Sequence, residues 1–437
     1  MPFTAKIAIP PLLLAASIFG FATTTTAKQT SENSATITGT VIDDSGQPTK
    51  DATVFVYSAR LKQGYAIVCP TCFVDCGKRA DTDAQGQFTI AGLNPALKFR
   101  LLVVKDGFTA TAKGGVDPAQ GPLQPIKLTQ RGPTTDQSKV VHARVTDLVG
   151  NPIGGAVIEP VGAIESANLS SFGTMDWMDG LAVTNASGEF VIYSTRPVEK
   201  IMLKVSPRGL AQKIVTVLPG SAVNSIVMAE GATIMGRLVA PNGAAIAQAE
   251  VVMIPLDHFN EESFSDMRVG TDRDGSFAFS NVPAHRIWGI YPTIESLGNR
   301  NLTAAPHWSE SLGDRQVVNV GKITLGPGFS VSGRIALADE KEVPPGMHAT
   351  INPQWTVTNR VTPIASDGTF EFKTLAPGIY SVMVGINGYT PTADSPHKIL
   401  VESNRRNVII HMARSQPHFS AADKATTAVP LPNLPAE

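Results

Sequence analysis

Three cysteines stand within eight positions of one another, in CPTCFVDCGKRADTDAQGQF at residues 69 to 88, and the 437-residue chain holds no others. Thiolates at Cys69, Cys72 and Cys76 could wrap a metal ion if Asp75 or Asp81 bent inward as a fourth ligand. A redox pair would need Cys69 and Cys72 at a helix N-terminus, where the dipole lowers a thiol pKa, and FVDCGKRADTD has no helical pattern. A c-type haem would need histidine after the second cysteine, and Phe73 stands there. A disulfide joining Cys69 or Cys72 to Cys76 would rigidify the loop and leave one thiol over. In an exported protein such an odd thiol points to an intermolecular bridge or a reactive thiol, which makes a disulfide-linked partner a specific expectation. The disulfide is the preferred expectation, with metal binding as the alternative.

Two H-x-x-E strings, His258 with Glu261 and His307 with Glu310, carry half of a zinc ligand set. Neither is H-E-x-x-H, and a G-x-S-x-G elbow and a phosphate-binding glycine loop are both missing, so no enzyme is expected. The alternative is a metal-binding protein or metal-dependent hydrolase built on the cysteine loop or the H-x-x-E loops. Asp272 and Asp274 before Gly275 resemble part of a calcium loop. Calcium takes six to eight oxygens, and the downstream glutamate is missing, so a hairpin turn explains these aspartates better.

The elements that would position these residues repeat. Four segments open alike, at Ala35, Val140, Ala232 and Phe329, about 90 to 105 residues apart. Each alternates apolar and polar residues, turns at a glycine, and alternates again, as two strands with one buried face should. Each then has a polar turn before a short aromatic strand: TDAQGQFTI from Thr82, TNASGEFVI from Thr184, TDRDGSFAF from Thr271 and SDGTFEF from Ser366. Glycine supplies the positive φ of such turns, and the phenylalanine packs inward. About seven short strands per unit, with turns every 8 to 12 residues, predict a β-sandwich. The expected units are 35–131, 138–230, 231–327 and 328–414, joined closely enough to make a semi-rigid rod.

Between the second strand and the glycine turn, the first three units insert long, dissimilar loops. The first is the cysteine loop. The second, ESANLSSFGTMDWMDG, carries Asp176, Trp177 and Asp179; the third, DHFNEESFSDMR, carries His258, Phe259 and Glu261. Loops on a rigid sandwich are where binding resides, so these six residues are the candidates for contacting a carbohydrate or a protein.

The motif order G-x-V-x-D, G-x-P-x-x-x-A-x-V, T-D-x-x-G-x-F and L-x-P-G-x-Y resembles the carboxypeptidase regulatory-like domain, a transthyretin-like β-sandwich. The first unit carries it through Gly39, Val41, Asp43, Gly46, Pro48, Ala52, Val54, Thr82, Asp83, Gly86, Phe88 and Leu93. The fourth carries it in DGTFEFKTLAPGIYSVMVGINGY, residues 367 to 389. The third has Ala245 at the proline position, and the second has Ser194, Thr195 and Arg196 in place of the Leu-x-Pro lead-in. The resemblance implies all-β, transthyretin-like or Ig-like sandwiches in an elongated tandem array, acting as accessory modules without a cofactor. It leaves no room for the α/β enzyme domain that metallocarboxypeptidases add.

Composition agrees with many short strands: 38 glycines, 32 prolines and only 6% aromatics. A formal net charge of −1 leaves no basic surplus for nucleic acid. Lys6, the apolar run Ile7 to Ala22 and the small residues up to Ala27 form a secretory signal at 1–27, and no later stretch is apolar enough to span a membrane. The expectation is therefore a secreted, periplasmic or cell-surface protein meeting an extracellular or envelope protein or glycan. The sequons at Asn168, Asn185 and Asn301 would matter only in a eukaryotic secretory pathway. The segment 415–437, rich in Pro, Ala and Thr, is expected to be disordered.

Overall fold

In the computed structural model the described residues are 34–132, 136–256, 267–339, 341–355 and 359–415. The expected signal segment 1–27, His258, Phe259, Glu261 and the segment from 416 on lie outside them.

The first unit has β1 Ala35–Ile42, β2 Thr53–Leu61, β3 Arg79–Asp81, β4 Gln87–Leu93, β5 Leu97–Val104, β6 Thr111–Val116 and β7 Ile126–Lys127. They form two sheets, in the orders β4-β1-β7 and β3-β2-β5-β6. The strand β7 runs parallel to β1, while every other pairing in the unit is antiparallel. In β4, Phe88, Ile90 and Leu93 point inward from between exposed neighbours, the pattern that places one face of a strand in a core.

The same plan recurs three times. The second unit has β8 Val140–Thr146, β9 Val157–Ser166, β10 Leu169–Phe172, β11 Ala182–Val183, β12 Glu189–Tyr193, β13 Lys200–Ser206, β14 Lys213–Val217 and β15 Val223–Val227. Its sheets run β12-β8-β15 and β10-β9-β13-β14, with β11 also on β9. The third has β16 Ala232–Val239, β17 Glu250–Pro255, β18 Met267–Gly270, β19 Ser276–Val282, β20 Trp288–Pro292, β21 Leu302–Thr303, β22 His307–Trp308, β23 Val317–Thr324 and β24 Gly326–Pro327. Its larger sheets run β19-β16-β23 and β18-β17-β20-β22. The fourth has β25 Phe329–Leu337, β26 His348–Pro353, β27 Arg360–Pro363, β28 Thr369–Leu375, β29 Gly378–Val384, β30 Tyr389–Pro391, β31 Ile399–Val401 and β32 Arg405–Arg414, in sheets β28-β25-β32-β30 and β27-β26-β29-β31. The fold is all-β, tandem sandwiches each closed around its own apolar cluster.

The turn that carries the chain from one sheet of a unit to the other is built on a glycine in all four. Gly86, Gly188, Gly275 and Gly368 all have φ between 70° and 86°. A Cβ at any of them would collide with the carbonyl of Val41, Val145, Leu238 or Ile335 respectively, so only glycine serves. In the first three units the turn is closed by an Asp or Asn three residues earlier, whose side-chain oxygen accepts two backbone N–H groups; the fourth has Ala365 there, and Asp367 accepts from the Thr369 N–H instead. Asp272 accepts from Asp274 and Ser276, and Asn185 accepts from Ser187 and Glu189 in the same geometry. A neutral amide does the same work, so in these three units the position uses an acceptor and not a charge; the aspartates of TDRDG are turn residues.

Preceding that residue, Thr82, Thr184 and Thr271 are buried. Each hydroxyl donates to a carbonyl across the unit, of Thr49, Ile153 or Ile246, and accepts from the N–H of Ala52, Ala156 or Ala249. The fourth unit puts Ile364, a core residue, at this place.

The units also touch through side chains, beyond what their short connectors impose. The outward faces of β2 and β5 meet those of β9 and β13, with Leu102, Val157 and Leu181 buried among Phe55, Tyr57 and Val183. Arg100 and Lys204 both pair with Glu159 there, at 3.1 and 2.8 Å. Burial opposes ionisation of Glu159, but the bonds and charges of Lys204 and Arg100 outweigh it, and its carboxyl titrates below the usual range. At the junction of the second and third units, Asn281 donates to the carbonyls of Gly209 and Glu230.

Candidate functional site: the inserted loops

The cysteine loop leaves β2 at Leu61 and returns at β3. Its disulfide joins Cys69 to Cys72. The expected pairing with Cys76 is therefore incorrect. Cys76 is a free thiol, 3% exposed, packed in the core of the first unit, with its Sγ donating to the Pro70 carbonyl at 3.4 Å. Burial pushes this thiol's pKa up, which suppresses the thiolate. The leftover cysteine is thus a core residue and not an exposed hook for a disulfide-linked partner. The misreading has a simple cause: spacing cannot tell which cysteine faces inward, and VDC places Cys76 over the core.

A metal site at Cys69, Cys72 and Cys76 loses its donors in this arrangement. Two sulfurs are bonded to each other and the third faces apolar side chains. The Asp75 carboxylate, offered as a fourth ligand, is buried and pairs with Lys78 while accepting from the Asn94 N–H. Asp81 accepts from the Thr53 hydroxyl.

Before the disulfide, the loop reaches the third unit. Gly270 at the end of β18 donates its N–H to the Ala66 carbonyl at 2.6 Å. A Cβ on Gly270 would lie 2.6 Å from the Tyr65 carbonyl oxygen, so the two backbones approach this closely only because the residue is glycine. The cysteine loop is thereby an inter-unit strut, while Ile67 and Val74 remain exposed on it.

In the second unit the insertion begins as a hairpin, β10 folding back on β9. Leu169 and Phe172 stand out from it, 52% and 56% exposed. The following TMDWMDG is anchored by Met175 and Met178, which enter the core. Between those anchors Asp176 is exposed, and Trp177 is half-buried against the core with the Arg196 guanidinium 5.3 Å from its ring.

Asp179, expected to face a ligand, instead faces the first unit. Its Oδ1 accepts from the Thr109 hydroxyl at 3.0 Å; its Oδ2 meets Arg131 Nη2 at 3.0 Å and the Tyr193 N–H at 3.1 Å. Arg131 also lies over the Tyr193 ring. This ion pair spans the first two units and removes Asp179 from the candidate surface. Arg131, Arg100 and Glu159 were not legible as an interface: Arg100 and Glu159 are charges on strands that carry other charges, and Arg131 lies outside any strand. In the third unit His307 lies exposed on β22, and Glu310 is exposed beyond it.

Residues 36–129 match the carboxypeptidase regulatory-like domain, so the first unit carries the fold that its motifs resemble. No curated protein matches the chain in sequence. Among solved structures, the Bacillus anthracis TIE protein aligns at 12% identity over 84% of this chain and 68% of its own, with a TM-score of 0.19. The minor pilin GBS52 of Streptococcus agalactiae aligns at 12% over 47% of this chain and 100% of its own, with a TM-score of 0.23. A streptococcal ancillary pilin aligns at 10% over 88% of this chain and 100% of its own, with a TM-score of 0.20. Scores this low support no inference about function.

Proposed function

We propose that this chain is an exported, non-catalytic scaffold whose tandem sandwiches present inserted loops to a protein or glycan outside the cytoplasm. The observation that carries this reading is the β9–β10 hairpin. Two large apolar side chains, Leu169 and Phe172, project from a unit clamped to its neighbour by Asp179 and Glu159. Large apolar groups held out on a rigid frame lose little conformational entropy on binding and shed water when covered. Asp176 and Trp177 follow on the same insertion and supply one charge and one ring edge. The apolar pair favours a protein partner over a glycan, since sugar hydroxyls need a polar set that Leu169 and Phe172 lack.

The test is a binding comparison between the mature protein and its Leu169→Ser/Phe172→Ser variant, using a glycan array and labelled envelope proteins of the producing cell. A loss of about tenfold or more in the variant supports the reading, since exposed aromatic anchors dominate such contacts. Equal binding by both proteins, or none by either, removes the hairpin as the recognition surface.

A further inference from the structure

The four-stranded sheet β27-β26-β29-β31 of the fourth unit is the counterpart of the sheets through which the first two units meet. In the third unit the same face has Val252 and Ile254 on β17, both buried. In the fourth unit the face is open. Val361, Ile379, Met383 and Leu400 are 57%, 40%, 58% and 44% exposed. Register places them side by side: Thr350 stands opposite both Val361 and Met383, and Ile379 stands opposite Leu400. The inward positions of these strands, Ala349, Ile351, Tyr380, Ile399 and Val401, belong to the core, so the outward row is separate from the unit's own packing.

Charge selects the occupant. Where the first two units meet, Arg100 of one faces Glu159 and Lys204 of the other, so those faces are complementary to each other. The fourth unit's four strands hold a single Arg, Arg360, and no Lys, Asp or Glu. Arg360 turns away, donating to the backbone carbonyls of Lys373 and Thr374 on the other sheet. With His348, at the exposed start of β26, as its one titratable side chain, the face carries no Lys, Arg, Asp or Glu and can meet an identical face without burying an unpaired ion or opposing like charges. That is the requirement of a two-fold, isologous contact.

We propose that the outward face of β27-β26-β29-β31 pairs with the same face of a second copy of this chain, sheet on sheet, as the first two units pair within one copy. Four strands about 4.8 Å apart and about five residues long give a flat patch of roughly 19 by 16 Å. Two such faces bury about 600 Å² in total, well below the 1,200 to 2,000 Å² of stable complexes, so the dimer is weak and forms only towards high protein concentration.

Sedimentation equilibrium of the mature protein from about 5 to about 500 µM reads this directly. The expected result is a reversible monomer–dimer equilibrium that Met383→Lys and Val361→Lys each weaken by about tenfold or more, with unchanged far-UV circular dichroism. Ile409→Lys places the same charge at an exposed apolar position of β32, on the other sheet, and leaves the equilibrium unchanged. A chain monomeric throughout overturns the proposal, as does a dimer that Ile409→Lys weakens and Met383→Lys does not. A monomeric chain whose Met383 face binds an added peptide of residues 416–437 would assign the face to this chain's own C-terminal segment and would also overturn it.

Discussion

Replacing Asp179 with alanine tests whether the first two units behave as one body. The carboxylate is 8% exposed and serves three donors: Arg131 at 3.0 Å, the Thr109 hydroxyl at 3.0 Å and the Tyr193 N–H at 3.1 Å. Two of those donors belong to the first unit and one to the second, so the substitution strikes the interface and the β12 end together. Removing one member of a buried ion pair costs about 3 to 5 kcal/mol when the other is left without compensation. Here Arg131 keeps 21% exposure and its contact with the Tyr193 ring, which brings the expected loss to about 2 to 3 kcal/mol. The assay is denaturant unfolding of the wild type, Asp179→Ala, Arg131→Ala and the double variant, with hydrogen exchange over residues 105–132 and 176–195. The pair should show a coupling of about 1.5 kcal/mol or more, and exchange should rise on both sides of the interface. Additive single effects, or a loss below about 0.5 kcal/mol, would refute the clamp.

Three further outcomes follow from the same geometry. Thr271→Val leaves the Ile246 carbonyl and the Ala249 N–H unpaired in the core and should cost about 2 kcal/mol in unfolding experiments, while an exposed Thr→Val control costs little. Glu159 titrates below its unfolded value of 4.5, so its pair with Lys204 and Arg100 stabilises the fold above that pH and is lost as pH falls through the lowered folded pKa. Glu159→Gln should therefore lower stability at pH 7 by about 1 kcal/mol and flatten the acid limb of the stability curve, the modest size reflecting partial solvent contact of all three groups. Alkylation followed by intact mass should label no cysteine in the native protein, one after denaturation, and three after denaturation with reductant; labelling of Cys76 in the native protein would contradict its burial.

Much of the fold is carried by local pattern. Apolar alternation in TITGTVI and TFEFKTL has a period of two, and a strand so patterned can bury only one face. Glycine at the turn before each inward phenylalanine is a requirement of positive φ, and the resemblance read from those motifs agrees with the match over residues 36–129. The aspartates of TDRDG were likewise legible as turn formers, because Asn185 fills the same place in another unit. The buried threonine before that turn was printed three times in the sequence, yet its role stayed hidden, since a hydroxyl can face water or bridge two strands without any change in spacing.

What the chain determined by itself is its β class, its repetition and the places where loops are inserted. These rest on dihedral preference and burial of one face, both local in sequence. The partners of polar and sulfur atoms were decided only in three dimensions. Cys69 bonds Cys72 because Cys76 is drawn into the core beside Phe73; Asp179 pairs with Arg131 because two sandwiches meet face to face. Such pairings depend on distances between residues far apart in the chain, set by how whole sheets stack. No residue's type or neighbours encode that distance, which is why candidate contacts read from a loop can turn out to be the joints of the scaffold.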